Sequence, residues 1–170
     1  MLFVGINPGM ASARAGHHFA NPANGFWRLL HEAGFTPRVL APQEDRRLPE
    51  HGLGITNLVS RASPGVADLG REEMLKGAEA LGRRIERWRP RAVVFVGFTA
   101  WGPFARRWSL KAASRAGRQP GRFAGARLFV LPNPSGRNAH FSRSEMRALY
   151  RRAARAISQD LVVSRPRSRG

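Results

Sequence analysis

A chain of 170 residues, 42% hydrophobic and 24% charged, has the ordinary balance of one globular domain with a sizeable core. It contains no cysteine, which excludes disulfides, thiolate zinc sites and Cys-ligated iron–sulfur clusters. A net charge of +18, with 27 Arg and two Lys supplying the 29 cations, is a field strong enough to recruit a polyanion and makes nucleic acid the leading partner class.

The first apolar run, 2–5 (LFVG), reads as a buried strand entering a turn. That turn, GINPG, sets Asn7 between the strand end and Pro8. An amide there either shapes the turn or points into a site. Asn21 and Pro22 fit the N-cap and first position of a helix running to about residue 33. A weaker strand is expected over 53–59. Helical periodicity follows over 71–88, with Met74, Leu75, Ala78, Leu81, Ile85 and Trp88 on one face. Next come a strand over 92–96, a shorter helix over 98–108, an exposed Gly-, Arg- and Ser-rich loop over 111–126, and a strand over 127–131. A last helix is predicted over 143–158, with Met146, Leu149, Tyr150, Ala153 and Ile157 inward. Ser142 and Glu145 fit a capping box at its start.

Alternating strands and helices predict a three-layer α/β/α sandwich around a mostly parallel sheet of four to five strands. One domain is expected over residues 1–160, with a basic, disordered tail over 161–170. No apolar run approaches a membrane span, and no signal peptide is expected before the first strand. The expectation is a cytoplasmic protein without a membrane partner, nucleoid-associated if bacterial.

Sites in such sheets gather beyond the carboxyl ends of the strands. Two unusual loops begin there: GINPGMASARAGHHF after the first strand and PNPSGRNAHF, residues 132–141, after the last. The first is Gly-rich but lacks dinucleotide and phosphate-loop spacings, and Pro8 removes a backbone donor, which argues against a nucleotide cofactor. No carboxylate occurs before Glu32 and no lysine lies near either loop. Chemistry here must proceed without an acid–base pair from these loops, which suits a dissociative reaction. Cleaving a nucleobase from deoxyribose asks for an oriented water, a stabilised leaving anion and an exposed base.

Residue type alone leaves alternatives open. Asn7 can cap its turn, Phe19 can be core, and Asn57 and Ser63 can be turn residues. Arg137 can be one surface Arg among 27. His17 and His18 are adjacent with no third ligand evident, so no metal is expected. Asn24 is read as ordering the loop and the helix start.

GINPG, GHHF, NPANGFW, GITNLVSRASPG and PNPSGRNAHF, in this order from about residue 2 to 158, resemble the mismatch-specific uracil/thymine-DNA glycosylase family. The resemblance implies a uracil-DNA-glycosylase-like fold and a monofunctional, cofactor-free enzyme. Its partner would be double-stranded DNA containing G·U or G·T mispairs, bound by a monomer. Asn7 matches the residue that positions the attacking water, with Ser63 helping to hold it. Phe19 matches the aromatic that stacks on the flipped base. Ile6, Ser12, His18 and Asn57 match positions around that base, Ser12 near the wall beside its C5 carbon. Gly136 and Arg137 match the loop that enters the duplex, with Asn138, Ala139 and His140 along the minor groove. Relatives commonly have Lys after the Gly that ends the strand at 92–96; here it is Phe98. A glycosylase of this fold acting on other deaminated or adducted bases, or a silent DNA-binding module, is the alternative.

Overall fold

The computed structural model describes residues 1–113, 115–136 and 138–163, with side chains of the last helix described to residue 159. Arg137 and residues 164–170 of the predicted tail therefore lie outside the described residues, while residues 161–163, expected as tail, instead continue the last helix. The strands are β1 (Leu2–Gly5), β2 (Gly54–Asn57), β3 (Ala92–Val96), β4 (Gly117–Phe123) and β5 (Ala126–Leu131), in the order β2-β1-β3-β5-β4. All neighbours are parallel except β4 and β5, which pair antiparallel. The continuous apolar runs of β1, β3 and β5 are buried because helices cover both faces of the sheet.

One face carries α2 (Phe26–Glu32) and α5 (Arg143–Val163), joined to the sheet through Phe26, Leu30, Phe129 and Tyr150. The other carries α3 (Arg71–Trp88) and α4 (Phe98–Arg107), packed through Leu81, Ile85, Phe95 and Phe104. This is the expected three-layer sandwich. Ser142 caps α5 as predicted: its N–H and hydroxyl each donate to Glu145 Oε2 at 2.7 Å. On α3 the predicted inward face holds at Ala78, Leu81 and Ile85. Trp88, the last residue of that helix, is 52% exposed instead. The chain turns away just after it, through Arg89 at φ 46°.

Two other expectations need correction. The helix predicted from Asn21-Pro22 starts only at Phe26. Asn21 Oδ1 accepts from Ala23 N–H and Asn24 Oδ1 from Phe26 N–H, so the two amides close local turns rather than cap a helix at 22. The loop predicted over 111–126 contains β4, an edge strand. Its register is broken between Arg118 and Arg122, which accommodates Pro120 and Gly121. A short helix α1 (Met10–Ala15) and a 3-10 segment at Pro42–His51 also form, neither anticipated.

Candidate active site

The carboxyl ends of β1, β2 and β3 open into one cleft of about 800 Å³, bounded by the first loop, residues 60–66, and Asn133 and Ser135. Asn7 lies just past β1. Its Nδ2 donates to Ser63 Oγ at 2.8 Å and lies 3.2 Å from the carbonyls of both Pro8 and Arg61. With the amide hydrogens engaged, Oδ1 is the atom left to accept from water. Ser63 is 2% exposed and donates its own hydroxyl to Gly65 O at 2.6 Å. A parallel bridge between Gly9 and Ser63 ties the two segments together. Ser63 thus acts on the cleft through Asn7.

The floor is built around Gly5. Gly5 and Asn57 are register partners at the ends of β1 and β2. A Cβ at residue 5 would lie 2.6 Å from Asn57 Oδ1 and 3.2 Å from Phe19 Cζ. Only glycine lets that amide and that ring edge meet there. Phe19, held at φ 50°, stacks on Phe26 with centroids 4.1 Å apart and planes 18° off parallel. The core therefore supports the ring from behind. Behind Asn57, Arg84 of α3 donates to Thr56 Oγ1 at 2.6 Å and to Asn57 O at 3.1 Å, fixing the end of β2. Burial lowers the pKa of this guanidinium.

The histidines are held by Asp45, which the 3-10 segment brings against the loop. Its carboxylate lies 3.3 Å from Nδ1 of both His17 and His18 and accepts from His18 N–H at 3.2 Å. Burial pushes the Asp45 pKa up. The hydrogen bonds from His18 and His17 outweigh this, so the net shift is downward. Trp27 Nε1 donates to His18 O, pinning the same turn from the α2 side. Ser12 Oγ accepts from Ala20 N–H at 3.0 Å, so the hydroxyl is tied to the loop backbone.

Asn7, Ser63, Ile6, Ser12, His18, Phe19 and Asn57 all line this cleft. Of the described residues of the loop at 132–141, only Asn133 and Ser135 do; Gly136, Asn138, Ala139 and His140 sit outside the lining. That loop docks on residues 23–25: Gly25 N–H donates to Pro134 O at 2.9 Å, and a Cβ on Gly136 would lie 3.3 Å from Ala23. Asn138 spends its amide within the loop, donating to Asn133 O and accepting from His140 N–H. Ala139 and His140 are exposed. Sequence reasoning missed Asp45 and Arg84. Both act across long separations, 28 residues in the Asp45–His17 case, and no local pattern announces them.

Among the described residues no carboxylate lines the cleft. With Asn7 Oδ1 left to accept and the Phe19 ring supported from behind, such a site can orient a water and a flat polar ligand. A family model for the Uracil DNA glycosylase superfamily matches residues 1–157. The chain belongs to that superfamily, whose members are DNA glycosylases, hydrolases acting on uracil-type lesions in DNA.

Proposed function

We propose that the protein is a monofunctional glycosylase that hydrolyses the N-glycosidic bond of uracil, and less readily thymine, mispaired with guanine in double-stranded DNA. The nucleotide is flipped into the cleft, where its base stacks on Phe19 and its polar edge meets Asn57. The electron pair of the glycosidic bond leaves with the base as that bond breaks. A water accepted by Asn7 Oδ1 adds its oxygen to the sugar carbon and releases its proton to solvent, leaving an abasic site. Ser63 holds Asn7 in register for this step. Arg137 enters the duplex where the nucleotide departs, while Ala139 and His140 face the minor groove and Asn138 shapes the loop that carries them.

The observation that carries this reading is the fixed amide of Asn7, with its donors engaged by Ser63, Pro8 and Arg61, in a cleft that no carboxylate lines among the described residues. The test is a single-turnover incision panel, with one modified base opposite each normal base and alkali used to reveal abasic sites. G·U should be cleaved fastest. Hypoxanthine, xanthine and exocyclic cytosine adducts in the same panel rank the other lesions. Asn7→Ala should abolish excision while mismatch binding persists, because water positioning is felt only in the transition state. A near-wild-type rate for Asn7→Ala would refute the assignment.

A further inference from the structure

Positive charge is unevenly spread along this chain. Residues 87–170 hold 19 of the 29 Lys and Arg but only two of the 11 Asp and Glu. Five of those 19 cations lie on α5: Arg143, Arg147, Arg151, Arg152 and Arg155. Its outer face presents Ser144, Arg147, Arg151, Arg152 and Arg155 along a shallow groove of about 330 Å³. Arg151 Nε donates to Glu32 O at 2.7 Å, and Arg143 pairs with Glu32 at 3.3 Å. Arg147, Arg152 and Arg155 have no hydrogen-bond or ion-pair partner among the described residues.

An arginine face kept only to solvate a helix would be expected to carry carboxylates one turn away, as α3 does. There Lys76 pairs with Glu72 at 2.7 Å and Arg83 with Glu79 at 2.6 Å. Among the described residues the α5 groove has no acidic lining. Like charges left unneutralised along one face repel one another, and a polyanion lying on them relieves that repulsion.

The placement separates this face from the cleft. The helix begins just beyond the loop at 132–141 and runs down the sheet. Near its other end, the carbonyls of Ala156 and Ile157 accept from Arg127 at the start of β5. From Arg147 to Arg155 the stripe descends about 12 Å, at about 1.5 Å per residue. The groove and the cleft share no lining residue. We propose that the outer face of α5 is a second DNA surface, which binds the phosphate backbone of a further duplex segment without reading sequence. The proposal rests on the reading above only in taking DNA as the polyanion.

The test compares wild type with the triple variant Arg147→Gln/Arg152→Gln/Arg155→Gln, which leaves Arg151 on its Glu32 carbonyl. Affinity is measured against salt for a long undamaged duplex and for a short one spanning only the cleft. Each phosphate neutralised contributes about −0.9 to the slope of log Kobs against log[salt], so the long-duplex slope should shrink by roughly two to three units. Short-duplex affinity and saturating single-turnover excision from a short G·U duplex should not change. The Lys triple variant should restore the long-duplex slope. If the Gln variant melts early, Arg147→Gln and Arg155→Gln singly should each remove about one unit.

An unchanged slope overturns the proposal. Equal loss on short and long duplexes also overturns it, by assigning these arginines to the cleft's own footprint. A loss seen with single-stranded RNA but not with duplex DNA does the same, by naming a different polymer. A wild type that excises no base while the slope still shrinks would refute the proposed reaction and leave this surface standing.

Discussion

Replacing Gly5 with Ala should damage the reaction far more than the fold. The new methyl would sit 2.6 Å from Asn57 Oδ1 and 3.2 Å from Phe19 Cζ. Ordinary contact begins near 3.4 Å, so the amide must retreat by most of an ångström while the ring edge gives a few tenths. Asn57's backbone is held by Arg84, but its side-chain amide has no partner among the described residues, so it can rotate. The stability cost should stay at the low end of the roughly 1–3 kcal/mol typical of overpacking. In a domain of this size that lowers Tm by about 2–4 °C per kcal/mol. Rotation removes the polar group proposed to meet the base edge. That is worth roughly 1–3 kcal/mol, or about a 5- to 150-fold loss of single-turnover excision from G·U duplexes. Melting and excision should be measured on one preparation, beside Asn57→Ala and the double variant. If the methyl acts through the amide, Gly5→Ala adds little once Asn57 is truncated. Wild-type excision by Gly5→Ala, or full additivity in the cycle, would refute the reasoning.

Ser63→Ala should slow excision less than Asn7→Ala, since the carbonyls of Pro8 and Arg61 remain near Nδ2. Losing the hydroxyl that bridges Asn7 and Gly65 should cost about 0.5–1.5 kcal/mol of stability, read by denaturant melts. Ser12→Ala should raise G·T excision relative to G·U, as one methyl in a pocket is worth roughly 1–3 kcal/mol. Its tie to Ala20 makes a modest melting shift the accompanying sign; comparable wild-type rates on G·U and G·T would sink the idea. Asp45→Asn should loosen the His17–His18 turn. The folded Asp45 pKa is depressed, so its contribution is complete above the ordinary carboxylate value and is lost as pH falls through the lower folded value. The stability gap between wild type and Asp45→Asn should therefore be present near neutrality and close in acid; a gap that widens in acid would contradict the assignment.

The layers of this fold were readable because β1, β3 and the last four residues of β5 (LFVL) are unbroken apolar runs and the inward faces of α3 and α5 repeat at helical spacing. The edge strand β4 was not readable. Its sequence, GRQPGRF, buries only Gln119 fully, so neither apolar alternation nor strand propensity marks it. Asn21-Pro22 misled for a related reason: the same residue types that cap helices also close turns, and the docking of Gly25 on Pro134 decided between them. The motif residues at the cleft were legible by type and order. Their supports were not, because Asp45 and Arg84 meet the site only after the chain has folded across itself.

The aromatic floor has a further consequence. Phe19 rests on Phe26, Phe26 meets Phe3 edge-on at 5.5 Å, and Phe3 meets Phe35 in the same way at 5.3 Å. Phe3 and Phe26 are completely buried. The seat for a ligand is thus the last member of a column rooted in the interior, and its height is set by residues that never meet solvent. Anyone seeking to widen this cleft for a bulkier base by redesigning its visible lining would be adjusting the upholstery of a chair whose legs stand in the core. The effective handle is Phe26, and turning it risks the whole sheet face.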